Sequence, residues 1–147
     1  MATTHKALGH AAEIHGAGTG RPRSLMVAVV AAIVGGVGWL AKIVIMTAAG
    51  GPNPDSALEA IAFFAGLGGV VIAAAAAGLY LARSTSQVRR VLAAIAAVVF
   101  TAVVVGVGQA ALSALPGDAW IQEEAVFGIV GLAALVAAAI ASTRPSD

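Results

Sequence analysis

The sequence predicts an all-α integral membrane protein, built as a four-helix bundle of two antiparallel helical hairpins. Of its 147 residues, 60% are hydrophobic and 10% are charged. The mean hydropathy of +0.97 is well above that of soluble globular proteins. Two further observations support this prediction. The sequence has four long apolar runs, and basic and acidic residues lie at opposite ends of these runs. Together they indicate a chain that crosses a lipid bilayer four times.

The four apolar runs cover residues 25–46, 58–82, 91–115 and 121–141. Each run is long enough to cross a ~30 Å hydrocarbon layer at a helical rise of ~1.5 Å per residue. Helices are expected, and not barrel strands, because the runs are continuously apolar and do not alternate. The chain therefore divides into a disordered N-terminal tail (1–23), one membrane domain (24–143) and a short C-terminal tail (144–147).

Short connections set the relative direction of the helices. Turn-forming glycine and proline residues break the chain at 50–54 and again at 116–117. Helices joined by such short loops have to run antiparallel. The first run exceeds the apolar core of a signal peptide, so the first helix is expected to be retained.

Charge predicts the orientation of these helices. The basic residues near the run ends all fall on one side: Arg21, Arg23, Arg83, Arg89, Arg90 and Arg144. The opposite loops carry acidic residues only: Asp55, Glu59, Asp118, Glu123 and Glu124. Because basic residues are retained on the cytoplasmic face, both termini are expected in the cytoplasm. Trp39 and Trp120 at the outer ends and Tyr80 at an inner end fit the aromatic belts of the two interfaces. The preference for Ala, Gly, Val and Arg resembles that of a bacterial protein, which indicates the inner (cell) membrane.

The two hairpins share motifs at matching places. Residues 36–38 and 106–108 both read Gly-Val-Gly, while Glu59-Ala60-Ile61 corresponds to Glu124-Ala125-Val126. The offset from each glutamate to a following Gly-Leu pair is also the same. A duplication would give a parallel internal repeat, since both hairpins begin and end in the cytoplasm. Chance similarity in a chain so rich in Ala, Gly and Val is the alternative.

Glycine places a strip of small residues on every predicted helix. Lipid gives helices little hydrophobic drive to associate, so close approach over small residues supplies much of the packing. The glycines expected at helix contacts are Gly36, Gly38, Gly66, Gly69, Gly106, Gly128 and Gly131. The strips fit a monomeric bundle, a homo-oligomer or docking against a larger membrane complex, and the sequence leaves these alternatives open.

Four polar residues, one from each helix, are expected to form a layer in the outer leaflet: Lys42, Glu59, Gln109 and Glu124. Charge in hydrocarbon is costly and tends to mark function. Lys42 has three explanations: its ammonium snorkels to the outer interface, it pairs with a carboxylate of the second or fourth helix, or it serves a substrate or proton path.

Local patterns distinguish the carboxylates. Ser56 and Glu59 have the spacing of a capping box, which gives Glu59 an alternative local role. Adjacent helix positions diverge by ~100°, so only one residue of the Glu123-Glu124 pair is expected to face the bundle. Glu124 is the predicted one because its offset to Gly131 equals that of Glu59 to Gly66.

The remaining features argue against enzyme chemistry. The chain has no cysteine, and its three histidines, His5, His10 and His15, all lie in the N-terminal tail. No apolar run carries a histidine or an aspartate, and phosphate-binding loops are absent from the sequence. No catalysis, cofactor or metal is therefore expected, with adventitious metal binding by the tail as the alternative to plain disorder. Nucleic-acid binding is disfavoured because the net charge is only +1.

Two functions remain from the sequence. The first is a non-catalytic structural or accessory subunit that packs against a larger membrane complex or against itself. The second is an oligomeric channel or transporter component for ions or small solutes, with the polar layer as its outer vestibule. The first is favoured because the inner halves of the helices are almost wholly apolar.

Overall fold

The computed structural model describes residues 22–53 and 55–143, and within them the only regular structure is α-helix. The four helices are α1 (Arg23–Ala49), α2 (Ala57–Leu81), α3 (Gln87–Ser113) and α4 (Ala119–Thr143). All four are long and apolar enough to cross a membrane. The predictions made for the histidine-containing tail, Arg21 and Arg144 lie outside the described residues.

The observed helices differ from the predicted bounds by up to a turn: six of the eight ends extend beyond the apolar runs, whereas α2 and α3 end one and two residues before their predicted ends. α3 starts at Gln87 after the N-cap residue Ser86 and so includes Arg89 and Arg90. α1 ends where Gly50 adopts a left-handed conformation, with φ of 78°, and its amide bonds back to the last turn. A side chain at Gly50 would strain this cap.

Glycines bring α1 and α2 into backbone contact. A Cβ atom added to Gly69 would lie 2.3 Å from the Gly35 nitrogen, and one added to Gly38 would lie 2.5 Å from the Gly66 nitrogen. Such distances are shorter than any real Cβ contact, so only glycine permits this approach. The tightest packing of the protein therefore lies between the first two helices.

α4 packs on the other side of α1. A Cβ on Gly36 would lie 2.6 Å from the Gly131 carbonyl oxygen, while Gly131 itself faces Trp39 and Gly36 at 3.2 to 3.5 Å. Gly128 faces the end of the Ile43 side chain at 2.7 Å. α1 is thus enclosed by α2 and α4, and its buried face follows a helical spacing through Ala31, Gly35, Gly38, Lys42 and Met46.

α3 is held more loosely. Its contacts to the other helices include Gly78 of α2, which faces Ala93, and its own Gly108, which faces Val126 of α4. None of its residues is buried, and no Cα atom of α3 comes within 8 Å of one in α1. Gly106, another predicted helix contact, faces open space in the described chain, since a Cβ there would meet nothing within 4 Å.

Candidate functional site

The interior of the described chain contains one buried ion pair, between Lys42 of α1 and Glu124 of α4. The Lys42 ammonium donates a hydrogen bond to Oε1 of Glu124. Both residues are only 8% exposed, whereas the neighbouring Glu123 is exposed. Of the explanations open for Lys42, the structure has the ion pair with a carboxylate of the fourth helix.

Two aromatic rings lie beside the Lys42 ammonium, and a third stacks on one of them. Trp39, 1% exposed, stacks on Phe127 with ring centroids 4.2 Å apart and meets Phe63 edge-on at 5.5 Å. The Lys42 ammonium lies 5.7 Å from the Trp39 ring centroid and 5.4 Å from that of Phe63, within cation–π range. We refer to Lys42, Glu124, Trp39, Phe63 and Phe127 as the ion-pair cluster.

Residue spacing builds this cluster from three helices. Trp39 precedes Lys42 by three positions on α1, and Glu124 precedes Phe127 by three positions on α4, so each pair shares a helix face. The glycines Gly66 and Gly131 both abut Trp39 and make room for its indole ring. The charged pair therefore lies on the face of α1 that otherwise carries small residues.

The sequence placed Trp39 in the outer aromatic belt, and that prediction is wrong, because the indole is enclosed by α2 and α4. The spacing of Trp39 and Lys42 along the small-residue face of α1 is the signal that could have revealed this. Phe63 and Phe127 carried no predicted role in a site. Each lies about one turn beyond a glutamate, Glu59 or Glu124, in its hairpin.

Electrostatically, the pair is compensated but not fully satisfied. Oε2 of Glu124 is buried and has no hydrogen-bond partner among the described residues. Removing two charges from water costs several kcal/mol per ion, which their mutual attraction and further hydrogen bonds have to offset. Each partner therefore depends on the other for its stability in the interior.

Glu59 and Gln109 do not join the pair, so the expected layer of four converging residues is only partly formed. The Glu59 carboxylate accepts a 2.9 Å hydrogen bond from the Asn53 amide of the α1–α2 loop. Its own amide donates to Ser56 Oγ at 3.3 Å, which is one half of the predicted capping box. Glu59 and Lys42 do line opposite parts of an outer pocket of about 210 Å³.

Gln109 lies apart from the charges, in the wall of an apolar cavity that also touches Trp39 and Phe127. It makes no hydrogen bond to any described residue. No Cα atom of α3 comes within 8 Å of one in α1, and Gln109 contacts the cavity and not the ion pair.

The described part of the chain contains no group of three or more His, Asp or Glu side chains arranged to hold a metal ion. Comparisons with protein-family models, curated protein sequences and solved structures give no match to this chain.

Proposed function

We propose that this protein is a non-catalytic subunit of the cell (inner) membrane, which packs through α3 against another membrane helix of a larger complex or of a second copy. The observation that carries the proposal is the contrast between α3 and the other helices. α2 and α4 both pack on α1 over glycine, and these three helices have buried residues, whereas α3 has none. A loosely held helix is free to take part in a second set of helix contacts.

The state of the ion-pair cluster supports a structural role over a transport role. Its two charges neutralise each other, and the Trp39 and Phe63 rings lie 5.7 and 5.4 Å from the ammonium. A solute pathway would need polar groups that are free to exchange partners. An ion or solute channel is the second candidate, favoured by the cavities beside α3, but the cluster obstructs the outer end of such a path.

In this proposal the four helices form a bundle of two antiparallel hairpins with both termini in the cytoplasm. Antiparallel packing is supported by the contacts of Gly35 with Gly69 and of Gly38 with Gly66, in which positions rise on one helix as they fall on the other. At the inner end, the Arg83 guanidinium lies 4.4 Å from the Tyr80 ring centroid, an arrangement that suits a membrane interface.

Reporter fusions test the orientation. Alkaline phosphatase fused after Asp147 should be inactive, because the enzyme does not mature in the cytoplasm, and the same enzyme inserted at residues 52–55 should be active. A cytoplasmic fluorescent reporter should give the reverse pattern. An active phosphatase at Asp147 would contradict the proposed topology.

Cross-linking tests the role of α3. Because the chain has no cysteine, single cysteines can be introduced at Val99 and Val103, which are 56% and 55% exposed. Matched controls are Ile72 on α2 and Val136 on α4, which are 51% and 57% exposed. We expect discrete cross-linked products in native membranes from the α3 positions and not from the controls.

The product then distinguishes the two partners: a dimer of this chain indicates self-association, and a defined heavier species indicates another subunit. Equal cross-linking from all four positions would indicate random collision and would count against an α3 interface.

A further inference from the structure

Two apolar cavities, both partly open at the protein surface, lie between the helices. The outer chamber, of about 280 Å³, lies beside α2, α3 and α4 and ends at Trp39. The inner chamber, of about 360 Å³, extends to Leu25 and Ala141 near the opposite ends of α1 and α4. The chambers share four lining residues: Val70, Ala74, Thr101 and Val130. They therefore adjoin along this shared wall.

Two small residues of α3 leave space for the outer chamber. Ala102 and Gly106 line it, and a Cβ on Gly106 would meet no atom within 4 Å. When the two Gly-Val-Gly motifs are superposed, Gln109 takes the place of Trp39, since each follows its motif directly. At this position α3 therefore has the amide of Gln109, whereas α1 has the indole of Trp39, which packs between α2 and α4.

The polar groups of the outer chamber are few. The Thr101 hydroxyl is occupied by a 2.9 Å hydrogen bond to the Ala97 carbonyl oxygen. The Gln109 amide, in contrast, offers both donors and an acceptor and bonds to none of the described residues. Water needs two to four polar partners to be held in a cavity, and this wall supplies too few. Mostly apolar lining with one or two polar groups is the usual form of a small-molecule site.

The wall opposite α3 is aromatic. Trp39 and Phe127 both line the outer chamber, with their rings nearly parallel at an interplanar angle of 13°. A flat ring in the chamber can pack against this wall in offset or edge-on geometry. The inner chamber is lined by alanine, valine and leucine with Thr101 and suits an aliphatic chain.

From the adjoining chambers and the unpaired amide we infer that the protein binds a lipid-soluble ring-carbonyl compound with an aliphatic tail, the chemical class of the quinones. The ring lies in the outer chamber beside Trp39 and Phe127, a ring carbonyl accepts a hydrogen bond from Gln109, and the tail occupies the inner chamber. A phospholipid fits less well, because its esters stay at the interface while α3 continues apolar beyond Gln109 through Ala110 to Leu112.

Tryptophan fluorescence can test this inference on the full chain in phosphatidylcholine nanodiscs. The protein has two tryptophans, so Trp120→Phe leaves Trp39, in the chamber wall, as the only indole. The probe is a decyl-substituted benzoquinone, which accepts an electron from an excited indole at short range and does not need an exposed ring face. Decylbenzene, which lacks a carbonyl, serves as the matched competitor. We expect saturable quenching that decylbenzene displaces poorly.

Three substitutions in this background locate the site. Gly106→Leu and Ala102→Leu fill the outer chamber and should abolish saturable quenching. Gln109→Leu keeps the volume but removes the hydrogen bond and should weaken quinone binding about tenfold without changing the affinity for decylbenzene. Gly68→Leu is the control, because a Cβ there also meets open space but Gly68 does not line either chamber. It should bind like the parent.

Thermal melting by circular dichroism verifies that each variant folds. If Gly106→Leu does not fold, Ala102→Leu is the cavity-filling variant used in the test. Quenching that rises without saturation in the parent, or saturates equally in the cavity-filling variants, overturns the site. Parent-like affinity in Gln109→Leu together with full displacement by decylbenzene would show that the chambers hold only alkyl chains, which overturns the ring-carbonyl assignment.

Discussion

Gly69→Ala is expected to lower the free energy of unfolding by about 3 kcal/mol, at the upper end of the usual cost of overpacking. The added methyl group would lie 2.3 and 2.4 Å from the Gly35 nitrogen and Cα and 2.7 Å from the Ala31 carbonyl oxygen. These atoms belong to the backbone of α1 and have no rotamer by which to move away. Relief requires the two helices to separate, which loses dispersion contacts along the seam.

An alanine series gives this prediction its controls. Gly131→Ala should cost less, about 1 kcal/mol, because its nearest neighbours lie at 3.2 to 3.5 Å. Gly106→Ala, whose Cβ meets no atom within 4 Å, should be neutral or stabilise the helix by up to about 1 kcal/mol. Reversible unfolding in mixed micelles measures all three. Equal stabilities across the series would mean that α1 and α2 do not approach as closely as their glycines permit.

The four helices could be predicted from the sequence because the bilayer imposes one local requirement. A spanning segment has to be apolar for its whole length and has to satisfy its own backbone hydrogen bonds. The run at residues 91–115 therefore identified α3, although its N-terminus was placed a turn too late. The apolar run marks where the hydrocarbon layer begins, whereas the helix begins at Gln87, directly after the N-cap residue Ser86.

The partners of each face could not be predicted in the same way. Lipid and protein interior are both apolar, so a lipid-facing valine and a buried one have the same hydropathy. Gly69 and Gly106 both belong to small-residue strips, yet one touches backbone and the other faces an open cavity. The two strips differ in their neighbouring residues: α1 has the large side chain of Trp39 beside its glycines, and α3 has no such residue. That difference involves two distant segments and has no local signature.

The ion-pair cluster could be predicted in part from the sequence. Rarity of charge within the spans singled out Lys42 and Glu124, because a buried charge has few explanations. The arrangement of the helices determines the other contacts. The Glu59 carboxylate accepts a hydrogen bond from the Asn53 backbone amide of its own loop. Gln109 lies on α3, no Cα atom of which comes within 8 Å of one in α1. Helix height alone does not determine which side chains meet.

Lys42→Met is expected to lower the free energy of unfolding by about 3 to 5 kcal/mol, the usual cost of removing one partner from a buried ion pair. The Glu124 carboxylate would then lose the bond to Oε1 while its Oε2 already lacks a partner among the described residues. Both residues of the pair are only 8% exposed, so water compensates the remaining charge poorly. Glu124→Gln should be similarly costly, because it leaves the ammonium without a counter-charge.

A double-mutant cycle separates a coupled pair from two independent effects. In the combined variant, Lys42→Met with Glu124→Gln, neither side chain carries a charge, so it should be more stable than either single variant. Glu123→Gln and Glu59→Gln are the controls, since Glu123 is exposed and Glu59 bonds to the Asn53 amide. Combined with Lys42→Met, each should give additive effects. Additivity in the Glu124 cycle, with both single variants as stable as the parent, would mean that the Lys42 ammonium reaches the outer interface in the bilayer and has no need of Glu124.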